Sequence, residues 1–333
     1  MKFLRIVILL CLGGIVGFLI ARFIPENSTS LLIPQVKSPV LKPLQKYSFL
    51  ELQKYIPRPT TIQIEVPTLS DQNVSVYQAS FLTNQKRMSM QIMVPQTATP
   101  AAGFPVILMV RGFVDPAIYQ PGVGTKNGAH YFASHGYVTI APDFLGFGTS
   151  DVPPVDTLEA RFERPQQLLD LLASIKSLPF VDPNKIGIWG HSNGGQITIS
   201  LLEVSGKPYP TVLWAPVSKL FPYSILYYTD DSDDGGKELR KVLANFETIY
   251  DVYDFSSDKF IGNITAPIEL HQGNADTAVP IAWSNTFVET LKKENKDITY
   301  FTYNGADHNL QPGWNTAIER SLTFFNKQLG SGK

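Results

Sequence analysis

The chain is almost without cysteine: Cys11 stands alone among 333 residues, so neither a disulfide framework nor a cysteine-ligated zinc site can form within it. It also lacks an excess of either charge. Lysine plus arginine number 28 and aspartate plus glutamate 29, which leaves no broad basic field for a phosphate backbone and argues against nucleic acid as a partner. Charged residues are sparse at 17%, against roughly 25% in soluble domains, while an apolar share of 44% suffices for a core and excludes disorder throughout. Long hydrophobic runs are missing, with one exception.

That exception, residues 6–21 (IVILLCLGGIVGFLIA), carries no charge over sixteen positions and is bounded by Lys2, Arg5 and Arg22. Its length lies between the apolar region of a cleaved signal peptide, about 7 to 15 residues, and the roughly 17 to 25 of a spanning helix. Extension to Ile24, with Arg22 snorkelling, reaches spanning length. Residues 1–24 are therefore expected to be a signal anchor with a cytoplasmic N-terminus, making this a single-pass cell-membrane protein with the rest of the chain outside the cytoplasm. The alternative is a signal peptide cleaved near Ser28 to Ser30, giving a secreted chain. Residues 25–59 hold Pro25, Pro34, Pro39, Pro43, Pro57 and Pro59 among polar neighbours and are expected to form an extended tether.

Beyond it, apolar runs at 61–66, 74–82, 88–94 and 105–110 suit strands, the first of them antiparallel. The pattern then alternates. Helices are expected near 128–134 and 157–177 and from Gly194, between strands at 137–141 and 185–189; later strands fall at 211–214, 268–271 and 298–303, with helices near 281–293 and 316–327. Such alternation predicts an α/β domain over residues 60–333, with a mostly parallel central sheet and helices on both faces. Residues 218–257 interrupt the scheme with many aromatics and the acidic stretch DDSDDGG. An insertion leaving a strand's carboxyl end can act as a lid; the plainer reading is a small helical subdomain with solvated aspartates.

The chemistry gathers around IGIWGHSNGGQ, where Gly190, Ser192 and Gly194 stand in GxSxG spacing between a strand and a helix. A serine at so sharp a turn projects its hydroxyl above the sheet, and it becomes a nucleophile only when a base takes its proton. Of five histidines, His130 and His135 precede the turn, His191 belongs to it and His271 ends a strand. His308, in the loop YNGADHNL after the last strand, is the expected base. An orienting carboxylate is expected from Asp276, in GNADTAVP after the strand IELHQG; Asp307 is the rival, but side chains of neighbouring residues in an extended loop point apart. Donors for a tetrahedral oxyanion are expected from the backbone N–H of Asn193 and of Phe113, with Val114 as the alternative to Phe113. No metal or organic cofactor is implied. The sequons at Asn27, Asn73 and Asn263 are candidate glycan sites.

With these residues in place, residues 61–329 resemble the α/β-hydrolase fold and, within it, the catalytic domain of the prolyl oligopeptidase family of serine peptidases. GHSNGG at 190–195, the preceding VDPNKIGIWG, HQGNADTAVP at 271–280 and GADH at 305–308 carry the resemblance. It implies that Ser192, Asp276 and His308 are nucleophile, orienter and base, acting on a short peptide or a small ester. Two features depart from that family: Arg111 stands where its HG pair has histidine, and the segment before the fold is too short for its propeller. Dienelactone-hydrolase-like esterases share the motifs without a propeller and give the second reading. A third reading, a non-catalytic binding module on the same fold, predicts a damaged triad, whereas all three residues are present.

Overall fold

The structure is a computed structural model and describes residues 41–330. The expected anchor, the first part of the tether and Asn27 lie outside the described residues. Among the described residues no helix is long and apolar enough to cross a membrane.

Nine strands form one sheet: β1 (Gln63–Ser70), β2 (Val74–Thr83), β3 (Lys86–Pro95), β4 (Phe104–Val110), β5 (Val138–Pro142), β6 (Val181–His191), β7 (Thr211–Trp214), β8 (Ile268–Gly273) and β9 (Ile298–Tyr303). Their spatial order is β1-β2-β3-β5-β4-β6-β7-β8-β9. The first three strands and the β3–β5 pair are antiparallel, and all pairs from β5 to β9 are parallel. The α helices are α1 (Phe49–Gln53), α2 (Lys126–Ser134), α3 (Thr157–Phe162), α4 (Arg164–Ser174), α5 (Asn193–Ser205), α6 (Tyr223–Leu226), α7 (Lys237–Glu247), α8 (Ile281–Lys293) and α9 (Trp314–Leu329).

Central strand β4 shows how the pattern builds the layers. It is buried along its whole length, and its side chains alternate between two clusters. Val106 and Leu108 pack with Leu171 of α4 and Leu201 of α5 on one face, while Ile107 and Met109 pack with Phe132 of α2 and Phe325 of α9 on the other. A strand buried on both faces reads as a continuous apolar run, which is why VILMV was legible without any polar alternation.

Two expectations fail here. The tether was expected to stay extended to Pro59, yet Pro43–Tyr47 forms a 3-10 helix followed by α1, and Leu44, Tyr47, Phe49 and Leu52 enter the core. Proline is tolerated in a helix's first turn, where its missing N–H has no partner to lose. Each buried apolar side chain then contributes roughly 1.5 to 3 kcal/mol. The single helix expected over 157–177 is broken into α3 and α4 and ends in a 3-10 turn, Ile175–Ser177. Asp156 caps α3 by accepting from the N–H groups of Leu158 and Glu159, and Pro165 opens α4. The break turns Arg161 and Arg164 into residues of two helix ends.

In the 218–257 insertion the aromatics divide. Phe221, Phe246 and Phe255 pack around Phe162 at ring separations of 5.1, 5.7 and 4.8 Å, whereas Tyr223, Tyr227 and Tyr253 are exposed. The hydroxyl of Tyr250 accepts from the Leu44 N–H at 2.9 Å. Much of the insertion is therefore packed into the core.

Candidate active site

Strand β6 ends at His191 and α5 begins at Asn193, so Ser192 alone makes the turn, with φ +55° and ψ −123°. This left-handed backbone costs a non-glycine residue on the order of 1 to 3 kcal/mol, and it persists only where the surroundings hold it. They do so by two main-chain bonds: Ser192 donates to the Trp214 carbonyl at 3.0 Å, and its own carbonyl accepts from Val217 at 2.9 Å. Gly194 is required for a different reason. A Cβ there would stand 2.0 Å from the Val110 carbonyl oxygen, closer than any side chain permits.

The strand-end loops of β8 and β9 meet beside this turn. The Nδ1 of His308 donates to Asp276 Oδ2 at 2.9 Å. Because the carboxylate can only accept, the proton resides on Nδ1 and the Nε2 lone pair is left to act as a base. Asp276 also accepts from the N–H groups of Ala278 and Val279 at 2.9 and 2.8 Å and from Gln272 Nε2 at 2.9 Å. Burial pushes its pKa up, but the bonds from His308, Val279 and Gln272 outweigh burial and hold it below the ordinary carboxylate range. Gln272 is itself held by Ser284, whose hydroxyl donates to Gln272 Oε1 at 2.7 Å. The rival Asp307 is exposed and turned into its own loop, where Oδ1 accepts from the N–H groups of Asn309 and Gln311.

His191 joins the two halves. Its Nε2 donates to the His308 carbonyl at 3.0 Å and the two rings lie 4.7 Å apart. Burial, and secondarily the neighbouring His308, pushes its pKa down to about 4, so the ring is neutral at neutral pH. Ser192 Oγ has no hydrogen-bond partner among the described residues.

Opposite the serine lies the loop after β4. A Cβ on Gly112 would stand 3.0 Å from Ser192 Cβ, so this loop presses directly on the turn. The buried Arg111 fixes it: its guanidinium donates to the Gly112 and Asp143 carbonyls at 3.0 and 2.9 Å and lies over the Phe147 and Tyr119 rings at 4.1 and 4.5 Å. Phe113 follows with an exposed side chain, and neither its N–H nor that of Asn193 has an acceptor among the described residues. Sequence reasoning passed over Gln272, Ser284, His191 and the anchoring role of Arg111. Only Arg111 left a trace, as a cation inside an otherwise apolar strand end.

Residues Ser192, His308, Asp276, Asn193 and the Phe113 loop thus gather at the carboxyl edge of the parallel sheet. Comparison with known proteins agrees with this fold. The chain is 27% identical over 123 residues to the Penicillium polyketide transferase grgF and 26% identical over 141 residues to the Bacillus subtilis protein called Uncharacterized peptidase YuxL. These matches span 33% and 41% of the chain but only 42% and 20% of those relatives, so it spans less than half of either. An acetyl xylan esterase from a Paenibacillus species superposes with a TM-score of 0.60 at 16% identity, over 84% of this chain and 97% of the esterase, a likeness of fold. The sequence profile of the Prolyl oligopeptidase family matches residues 124–332, from the loop before α2 through the Ser192 turn to the last helix, and the chain belongs to that family.

Proposed function

We propose that the protein is a serine hydrolase of amide or ester bonds, with a short peptide as the substrate favoured by its family and a carboxylic ester as the second reading. The observation that carries this is the His308–Asp276 pair, fully partnered on the carboxylate side and with Nε2 free, beside a serine held at positive φ.

In the proposed cycle Ser192 Oγ attacks the acyl carbon while His308 Nε2 takes its proton, and the oxyanion is held by the Asn193 and Phe113 N–H groups. Collapse breaks the bond to the leaving amine or alcohol, which departs with the proton from His308. Water then attacks the acyl-enzyme, again losing a proton to His308. That proton returns to Ser192 Oγ and the carboxylic acid leaves. One donor of the oxyanion pair is typically worth about 100- to 1,000-fold in rate.

Labelling by a fluorophosphonate, abolished in Ser192→Ala, tests the reading; an unlabelled chain would sink it. Comparing an aminoacyl-prolyl anilide with a short-chain ester separates peptidase from esterase. The esterase alternative is supported by full-length likeness to an enzyme of that fold without a further domain. For the N-terminal run we propose a membrane anchor holding the catalytic domain outside the cytoplasm. Release of the full chain by alkaline carbonate would refute it.

A further inference from the structure

A cavity of about 70 Å³, partly open to solvent, lies beside Asn193, the residue after the proposed nucleophile. Its walls are largely apolar, with Phe49, Phe162, Phe221 and Phe255 among them, yet Arg161 and Arg164 also line it. Among the described residues neither guanidinium makes a hydrogen bond or an ion pair; Arg164 lies 5.6 Å from the Phe144 ring. Two further lining groups are unpartnered: the Ser218 and Ser224 hydroxyl oxygens are buried without a hydrogen bond, and Ser224 is 1% exposed. Buried polar groups in folded proteins are overwhelmingly paired. Two buried hydroxyls without a partner, facing one small space with two half-buried arginines that make no hydrogen bond or ion pair, therefore mark a partner that the chain does not supply.

The sign of that partner follows from the charges around it. Burial, then the neighbouring Arg161 and Arg111, pushes the Arg164 pKa down to about 9, and burial pushes that of Arg161 down to about 10. Both remain cations at neutral pH. Glu163, between the two arginines in sequence, lines a different cavity; burial pushes its pKa up to about 7, and the charge it retains favours the cationic form of Arg164. Lys219 adds a third cation at the rim.

Position decides which part of a substrate enters. Asn193 donates to the acyl oxygen, whereas the leaving group departs on the side of His308, and no residue of the Asp276 or His308 loops lines the cavity. The space holds only a few atoms, since one water requires on the order of 10 to 15 Å³.

We infer that this cavity is an acyl-side anion subsite, and that the preferred substrate carries a short acyl group ending in a carboxylate, as in a glutaryl or succinyl ester or amide. The carboxylate is bound between Arg161 and Arg164, with the Ser218 and Ser224 hydroxyls donating to it, while its chain crosses the apolar wall. This inference rests on the serine-hydrolase reading for the acyl half of the substrate but not for anion binding itself.

The full-length protein is tested with the p-nitrophenyl monoester of glutaric acid against p-nitrophenyl pentanoate, an activated ester pair of matched length that peptidases and esterases both acylate. The wild type is expected to show a kcat/KM about 10- to 100-fold higher for the acidic ester, as charge-assisted hydrogen bonds of this kind provide. Arg161→Gln and Arg164→Gln are expected to collapse that ratio, chiefly through KM. A wild-type ratio of one or less, or a ratio that both variants preserve, overturns the inference. Glutarate binding to wild type, followed by calorimetry, keeps the test independent of chemistry and of variant folding. Binding that is lost in Arg161→Gln supports the subsite even if neither ester is hydrolysed, an outcome that would reject the hydrolase reading alone. Absence of glutarate binding together with absence of acidic-ester preference rejects the subsite.

Discussion

The loops that carry Asp276 and His308 and the cavity behind Asn193 flank the same serine, yet they treat their polar atoms in opposite ways. Every oxygen of the Asp276 carboxylate is occupied, by two main-chain N–H groups, Gln272 and His308, and Gln272 is in turn occupied by Ser284. Across the turn, Arg161, Arg164 and the Ser218 and Ser224 hydroxyls have no such partners. A saturated network has one low-energy arrangement, which suits groups that must hold a proton-transfer geometry. An unsaturated one leaves the buried Ser218 and Ser224 hydroxyls with a desolvation cost that a ligand relieves.

That contrast can be broken or sharpened by substitution. The largest effect is expected from Ser192→Ala, with a loss in kcat of about 10,000-fold or more and no covalent label. Asp276→Asn should follow at about 1,000- to 10,000-fold in kcat, because the amide favours the wrong His308 tautomer. Steady-state kinetics with active-site titration checks both. On the saturated side, Gln272→Leu should lower stability by about 1 to 3 kcal/mol in chemical denaturation, since it strips a donor from a buried carboxylate and leaves Ser284 unpaired. On the other side the sign should reverse: Arg161→Met is expected to raise stability by up to about 1 kcal/mol as it removes a half-buried charge without an ion pair. Equal destabilisation by the two variants would erase the contrast.

The smallest effect concerns pH. His191 has a folded pKa of about 4 against an ordinary 6.5, so between those values the unfolded chain binds more protons than the folded one. Its contribution to stability is therefore full above pH 6.5 and is lost as pH falls toward 4. The melting temperature of His191→Gln should decline less steeply across that window than that of the wild type. Asp276 acts in a lower window, its ionised form stabilising the fold until pH drops below the ordinary carboxylate range.

How far these features could be read from the chain depends on the distance over which their causes act. The GxSxG turn is local: β6, Ser192 and α5 are contiguous, and the glycines announce the close approach. The buried strand β4 is equally plain, because burial on both faces leaves an uninterrupted apolar run. Helix 157–177 misled because Pro165 looks like a kink within one helix, while Asp156 and Pro165 together open two. Residues 43–53 misled because their prolines suggested a tether, and nothing nearby in sequence reveals that Tyr250, some two hundred residues later, receives Leu44. Gln272 and Ser284 are unremarkable residues whose value arises only where β8 and α8 bring them to Asp276.

The sequence by itself determined the fold class, the order along the chain of the candidate serine, aspartate and histidine, and the absence of any thiol beyond residue 11, since periodicity and residue chemistry are written along the chain. Tertiary structure alone decided how the Asp276 carboxylate is held beside His308, what holds the Phe113 loop against Ser192, and that two arginines from adjoining helix ends share a small cavity with two unpaired serines. Those depend on desolvation and on distances of a few ångströms between residues far apart in sequence, quantities that exist only once the chain has packed.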